Sequence, residues 1–448
     1  MPTLMKPFLL KNVQLVDPVA GHIGRFDILI DGDRVVRVGR NQSADGARVV
    51  ELPSSFVVTP GLIDMHVHLR EPGHEHKETI ATGSASAVAG GFTAVACMPN
   101  TDPVNDHSAV TEFIVKRAAE AALARVYPIG AVSMGSKGEQ LTEIGDLRAA
   151  GCVAISDDGR PVATALLMRR ALEYASMFGM PVIDHCEDPS LKGDGVAHEG
   201  AVASMLGLRG MPGAAESVMV ERDISMAELT GGRVHIAHMS ARQSLRAVRA
   251  GQQAGVKVTC EVTPHHFTLT DDVLAANGGY DTNAKMNPPL REEADRVAMI
   301  EGLRDLSIDV IATDHAPHHA DDKSLEFDCA PFGIVGLETA VPLCLDRLVH
   351  AGVIGWPRFV ELLSVNPARI LGIPGGTLSD GGPADLTILA PDESVTIDAR
   401  SFKSKSRNTP FNGWTLKGAV AATFIGGRAV YVNDRIAAAR TLRDPARS

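Results

Sequence analysis

Hydrophobic positions along the chain change their rhythm twice. Residues 1–57 run as short alternating or apolar stretches broken by turn residues: "FLLKNVQLVD", "FDILIDGDRVVRVG" and "VVEL". The Asp31-Gly32 pair in the second stretch is a hairpin signal. The same texture returns after residue 372, in "GGPADLTILA", "SVTIDAR" and "GAVAATFIGGRAVYV". One small β-sandwich domain assembled from both ends, residues 1–57 and 373–448, accounts for this most simply. Between them, over 58–372, apolar β-branched runs alternate with longer stretches that carry Ala, Leu and charges at helical spacing. That alternation marks a parallel sheet with crossover helices. The stretch "VATALLMRRALEYASMF" is one such helix. The runs are "GLIDMHVHL", "FTAVACMPN", "RVYPIGAVS", "GCVAISDDG", "MPVIDHCED", "RVHIAHMS", "KVTCEVTPHHF" and "DVIATDHAPH". Eight units in roughly 300 residues predict an α/β fold with a (β/α)8 TIM barrel rather than an open sheet.

Nearly every run begins apolar and ends in His, Asp, Asn or Ser. In a parallel barrel the C-terminal strand ends share one face, and active sites are built there. The first run ends "DMHVHLR", and strand geometry puts His66, His68 and Arg70 on one side of it. The second run delivers Asn100, the fourth Asp157 and Asp158, the fifth His185, the sixth His238, and the last Asp314 and His318. Four imidazoles and two carboxylates converging on one rim exceed the needs of one metal ion. They suit two divalent ions bridged by a carboxylate, with a water activated between them as nucleophile. Mixed imidazole and carboxylate ligands favour zinc, with manganese or cobalt as alternatives. Asp314 is placed to shuttle a proton from the attacking group to a leaving nitrogen; its alternative role is that of a plain ligand. Adjacent strand residues face opposite ways, so one of Asp157 and Asp158 bridges. His22, His74, His76, His107, His198 and His350 read as packed or surface residues, and His265 and His266 as wall residues. Cys186 reads as a packed thiol, because it faces away from His185. The charged loop from His319 to Pro331 is either a lid or a solvated connection.

Composition narrows the class further. The chain has 448 residues, 45% hydrophobic and 22% charged, which is ordinary for a soluble globular protein. A net charge of −11 without a basic run argues against nucleic-acid binding. No run approaches membrane length, and the opening "MPTLMKPFLLKNVQL" is too short in apolar residues for a leader. The six cysteines are scattered without a CxxC and read as reduced thiols of a cytoplasmic protein.

With those residues assembled, the sequence resembles the dihydroorotases of the cyclic amidohydrolase group over essentially its whole length. The markers are "GLIDMHVHLREPG", "GGFTAVACMPNT", "ISDDGRPV", "DHCED", "HIAHMS", "KMNPPLR", "ATDHAPH", "APFGIVGLETA" and the tail segment "SKSRNTPFNGW". The resemblance implies two Zn2+ per chain, one held by His66, His68 and Asp314, the other by His185 and His238, with Asp158 bridging. Many relatives bridge their metals with a carboxylated lysine; here the fourth run ends "AISDDG" without one, as in the aspartate-bridged branch. Implied substrate contacts are Arg70, Asn100, Asn287, His318 and the backbone at Phe332–Gly333, with His68 close by. Arg70 would fork onto the free carboxylate of the substrate, a pairing that lysine does not reproduce. The implied reaction is the reversible cyclisation of N-carbamoyl-L-aspartate to (S)-dihydroorotate in pyrimidine synthesis. A homodimer is implied, and a complex with aspartate transcarbamoylase is left open. Two rivals share much of this pattern: another cyclic amidase (for hydantoin, dihydropyrimidine or allantoin), and a non-catalytic partner subunit that has lost its metal ligands.

Overall fold

The computed structural model describes residues 7–44, 46–276 and 279–443. The first six residues of the segment judged too short for a leader lie outside the described residues. The eight apolar runs form one parallel sheet in sequence order: Leu62–Val67, Phe92–Cys97, Arg125–Gly130, Ala154–Ile155, Val182–Asp184, Val234–Ile236, Val258–Val262 and Val310–Ile311. Helices cover the outside and side chains fill the inside, so most of these strands are buried throughout and read as continuous apolar runs. Several strands are short because the ladder ends where the polar residues begin. His185, His238 and Asp314 all follow the last paired residue of their strands. First and eighth strands join through an isolated bridge between Val67 and His315, where the His68 N–H donates to the His315 carbonyl at 2.8 Å. The circle therefore closes thinly, and it does so at the rim that carries the histidines. Eight parallel strands in sequence order, with helices outside, make this a (β/α)8 barrel.

The expected crossover helix spans Ala165–Ser176. Thr164 caps it by accepting from the Leu167 N–H. Leu167, Met168, Ala171, Leu172 and Ala175 face the barrel, while Arg169 and Arg170 pair with Glu173 outside.

Both ends of the chain meet in one eight-stranded sheet that encloses its own core as the companion β-sandwich. Strand Val57–Pro60 is the junction, parallel to Phe8–Asp17 on one side and antiparallel to Leu386–Thr396 on the other. The two-residue turn Gly32-Asp33 joins His22–Asp31 to Arg34–Gly39, one position beyond the Asp31 signal, with Gly32 at φ +56° where the hairpin needs a positive φ. Leu10, Leu15, Ile28, Ile30, Leu386, Ile388 and Phe424 fill the space inside. Arg125 at the base of a barrel strand forks onto Asp385 at 2.6 and 3.1 Å, and Thr387 and Thr423 donate to the carbonyls of Gly91 and Val88. Between strands Leu386–Thr396 and Thr415–Ile425 the chain leaves the sheet and runs to the C-terminal rim of the barrel. Among the described residues no helix is long and apolar enough to cross a membrane.

Candidate active site

Five strand ends bring His66, His68, Asp158, His185, His238 and Asp314 together at the rim, all buried. Asp158 stands at the centre. Its Oδ1 lies 3.4 Å from His66 Nε2, 3.5 Å from His238 Nε2 and 3.7 Å from His185 Nδ1, while its Oδ2 lies 3.4 Å from His68 Nε2. Asp314 Oδ1 approaches His68 Nε2 at 3.0 Å and His66 Nε2 at 3.5 Å. Asp157 points elsewhere: it accepts from the Ser133 N–H at 3.0 Å and the Ser133 hydroxyl at 2.5 Å. Of the adjacent pair, Asp158 alone reaches the cluster.

The proton positions of this cluster follow from its outer partners. His66 Nδ1 faces Glu261 at 2.6 Å and His68 Nδ1 faces Asn100 Oδ1 at 2.8 Å, so both rings carry their hydrogen outward. Each then turns a lone pair inward, onto carboxylate oxygens that are also acceptors. Acceptor against acceptor in a buried site calls for a positive charge between them. His66 Nε2 and Asp158 Oδ1 are buried without a hydrogen-bond partner, as that requirement leads one to expect. Two overlapping groups, His66–His68–Asp314 and His66–Asp158–His238, each hold their donor atoms within 4.8 Å of one another. The residues present fit divalent metal ions.

A proton is the smallest such charge, and the electrostatics show the same demand for one. Burial disfavours ionised Asp158, yet the charge of His66 and the close imidazoles of His185 and His238 hold its carboxyl well below the usual range. Burial likewise favours neutral His66, but Asp158 and Glu261 hold its pKa well above normal. His68 goes the other way, lowered by burial, with the nearby Arg70 charge adding to it.

One side of the cluster is cationic. Arg70 is partly buried and its Nε donates to the Pro317 carbonyl at 3.2 Å. Among the described residues no carboxylate forms an ion pair with it, and burial pulls its pKa down to about 10. His318 Nε2 lies 3.5 Å from the guanidinium, and burial with the Arg70, Lys77 and Lys323 charges drives its pKa to about 2. His318 is therefore a neutral ring with an unpartnered Nδ1. Asn287 Nδ2 donates to His185 Nε2 at 3.2 Å and leaves its Oδ1 without a partner. Gly333 sits at φ +118°, where an added Cβ would meet Ala316 Cβ at 2.6 Å. Phe332 lies over the Lys285 ammonium at 4.7 Å.

Several residues that sequence reasoning passed over hold this arrangement in place. Glu261 accepts from His66 and from the His238 N–H at 3.1 Å, and pairs with His235 at 3.2 Å. Burial opposes its charge, but His66 and His235 keep it ionised far below normal. Asp64 accepts from the His66 N–H at 3.1 Å and the Thr313 N–H at 3.2 Å, tying first strand to eighth. Burial raises its pKa to about 7. The available signal was a charged residue in the middle of an apolar run, "LID" or "TCEV". His265 and His266 are buried beside the cluster, and His266 spends both nitrogens on Thr263 and the Pro288 carbonyl. The Cys186 thiol is buried and donates to Asp223 at 3.2 Å. Asp184 and Asp223 lie close to it, but the Arg222 guanidinium already supplies their cation at 3.2 and 2.6 Å. The loop from His319 to Pro331 is packed down, with Phe327 buried and Lys323 donating to the Pro331 and Gly333 carbonyls at 2.8 and 3.1 Å.

Known proteins match this chain over nearly its whole length. It is 56% identical over 428 residues to a dihydroorotase of Pelotomaculum thermopropionicum, covering 96% of this chain and 99% of the other. The chain belongs to the dihydroorotase family. A second dihydroorotase, from Geobacter metallireducens, is 52% identical over 423 residues, 94% of this chain and 99% of its own. The dihydro-orotase-like family model matches residues 55–244, which carry all the dihydroorotase site residues named above up to His238. Among solved structures, an L-hydantoinase from Arthrobacter aurescens superposes with a TM-score of 0.83 at 24% identity, over 95% of this chain and 96% of its own. A dihydropyrimidinase from Brevibacillus agri gives 0.82 at 22% identity, covering 95% of both chains. At those identities the likeness carries the fold and nothing finer.

Proposed function

We infer that this chain is a catalytic dihydroorotase, a hydrolase that interconverts N-carbamoyl-L-aspartate and (S)-dihydroorotate. The observation that carries the reading is an unpaired, half-buried Arg70 beside buried histidine and aspartate atoms that lack partners. An arginine with no carboxylate of its own, next to a hydrolytic cluster, fits a substrate that brings one. The rival cyclic amidases act on rings without a free carboxylate and have no use for that arginine. A non-catalytic chain would have lost ligand positions, whereas all six are occupied here.

The ligand set is proposed as His66, His68 and Asp314 for one Zn2+ and His185 and His238 for a second, with Asp158 bridging. When bound, these ions supply Lewis-acid activation of a water and of the ring amide carbonyl. Arg70 and His318, with Asn100, Asn287 and the Phe332–Gly333 backbone, orient the substrate by its carboxylate and ring edges. Asp314 takes the proton released by the attacking group on a carboxylate oxygen and delivers it to the departing ring nitrogen. In ring closure it receives the proton of the attacking ureido nitrogen. Glu261 and Asn100 keep the inward nitrogens of His66 and His68 free of hydrogen. Residues 58–372 form the catalytic unit in this reading, 1–57 and 373–448 its companion, and two chains pair as a homodimer.

The test is turnover of L-dihydroorotate by zinc-loaded protein, with hydantoin and dihydrouracil as controls, alongside zinc per chain. Turnover of dihydroorotate alone with about two zincs per chain supports the whole reading. Activity on a control instead keeps the metal cluster and removes the role given to Arg70. Full metal with no turnover removes the catalytic reading.

A further inference from the structure

The segment "SKSRNTPFNGW", residues 404–414, makes no hydrogen bond to the histidine cluster or to Arg70, yet it makes a dense set of bonds to the rim beside them. Ser404 donates to Glu78, which faces His315 Nε2 at 3.4 Å, and Ser406 donates to the Lys77 carbonyl at 2.7 Å. Asn408 goes furthest in. It is 4% exposed and every polar atom of its side chain is used. Its Nδ2 donates to the Ala316 carbonyl and to the Gly333 carbonyl, both at 3.0 Å, and its Oδ1 accepts the His318 N–H at 3.2 Å. Its own carbonyl accepts the Val335 N–H at 2.9 Å.

We propose that Asn408 is a positioning residue for the substrate-carboxylate clamp, bracketing the backbone at Ala316–His318 against that at Gly333. The proposal rests on the reading of Arg70, His318 and Phe332–Gly333 as the substrate contacts. The Pro317 carbonyl, on which Arg70 Nε rests, lies between the two bracketed residues Ala316 and His318. One side chain thus fixes the seat of the guanidinium, the backbone of the neutral imidazole and the glycine facing them. The two bracketed segments approach so closely at Gly333 that a Cβ there would strike Ala316, so the bracket sets a narrow gap. Asparagine suits the place because a short side chain must offer two N–H donors and one acceptor. Aspartate keeps the acceptor and loses both donors. Two further bonds hold Gly333 independently of Asn408: Lys323 donates to the Gly333 carbonyl, and the Gly333 N–H donates to the Lys285 carbonyl.

The experiment is steady-state kinetics on L-dihydroorotate with zinc-loaded wild type, Asn408→Ala, Asn408→Asp, Arg70→Lys and the Asn408→Ala/Arg70→Lys double variant, with zinc content measured throughout. Expected for Asn408→Ala is a KM raised about tenfold or more with kcat within about threefold and zinc unchanged, as loss of positioning at unreacting parts of the substrate requires. Asn408→Asp shifts KM in the same direction and carries the comparison if the alanine variant does not fold. In the double variant the two KM effects fall short of multiplying, because both act on one clamp. Unchanged KM in both Asn408 variants while Arg70→Lys raises it overturns this inference alone. Unchanged KM in Arg70→Lys overturns the clamp reading beneath it. Zinc loss with a fall in kcat overturns positioning in favour of general support of the last strand.

Discussion

Asp314 meets two demands at one carbon atom: it faces two imidazoles within 3.5 Å and is the group proposed to move the proton. Its backbone is in the left-handed region at φ +48°, as are His238 at +28° and Arg70 at +62°. For residues with a Cβ such a conformation costs on the order of 1–3 kcal/mol, so three of the rim residues are held there by what surrounds them. Replacing Asp314 with Asn keeps the shape and removes the proton acceptor. Zinc content should stay near that of the wild type while kcat falls about 100-fold or more, read by parallel metal analysis and turnover. Glu261→Gln should behave in the opposite sense. It leaves the reacting groups in place but weakens the hold on His66, so zinc affinity should drop about 10- to 100-fold in competition with a chelator. The sequence disclosed the residues at the strand ends because their type breaks an apolar run where a barrel opens. The choice of Asp158 over Asp157 rests on family spacing; the Ser133 bonds that turn Asp157 away come from the segment after the neighbouring strand. Glu261 and Asp64 escaped notice because they bond to residues far away in sequence, 195 positions for Glu261 and His66 and 249 for Asp64 and Thr313.

At the scale of the element, the loop from His319 to Pro331 was readable as charged and long, and no more. What holds it down is two buried lysines that bond to carbonyls instead of carboxylates: Lys285 to Phe327 and Asp328, and Lys323 to Pro331 and Gly333. Charge content in a sequence suggests a solvated loop, whereas Lys323 is 7% exposed. Burial, with the Lys285 charge second, brings the Lys323 amine down to about 7 from its ordinary 10.5. Between about pH 7 and 10.5 the unfolded chain thus keeps a proton that the folded chain has released. Stability from this group therefore rises as pH climbs through that window, and the penalty is fully present below it. Lys323→Met should flatten the slope. Melting temperatures compared at about pH 7 and about pH 10 would show a smaller change in the variant than in wild type; equal slopes would assign the pH dependence elsewhere.

For the whole molecule, the alternation of runs was enough to predict the barrel and the shared terminal sheet, since both follow from local periodicity. The thin seam between first and eighth strands was not visible, because closure depends on residues some 250 positions apart, such as the Asp64 bonds to Thr313. The histidines and aspartates proposed as ligands come from five strands and lie across that seam. Stripping divalent ions with a chelator should lower the melting temperature, and zinc should restore it. Binding at about 1,000 times Kd is worth about 4 kcal/mol, well within reach of a thermal scan. A melting temperature indifferent to zinc would place the ions outside the cluster.

The return of the chain to the barrel after residue 396 also sets an order of events during synthesis. Every residue proposed to hold metal or touch substrate is made by Gly333, while the bracket at Asn408 and the strands Thr415–Ile425 and Arg428–Val432 emerge afterwards. A nascent chain paused between the two would own a complete set of ligands and an unbraced clamp. Competence would then come as a late step, at the moment the last strands dock onto the sheet that the first residues began.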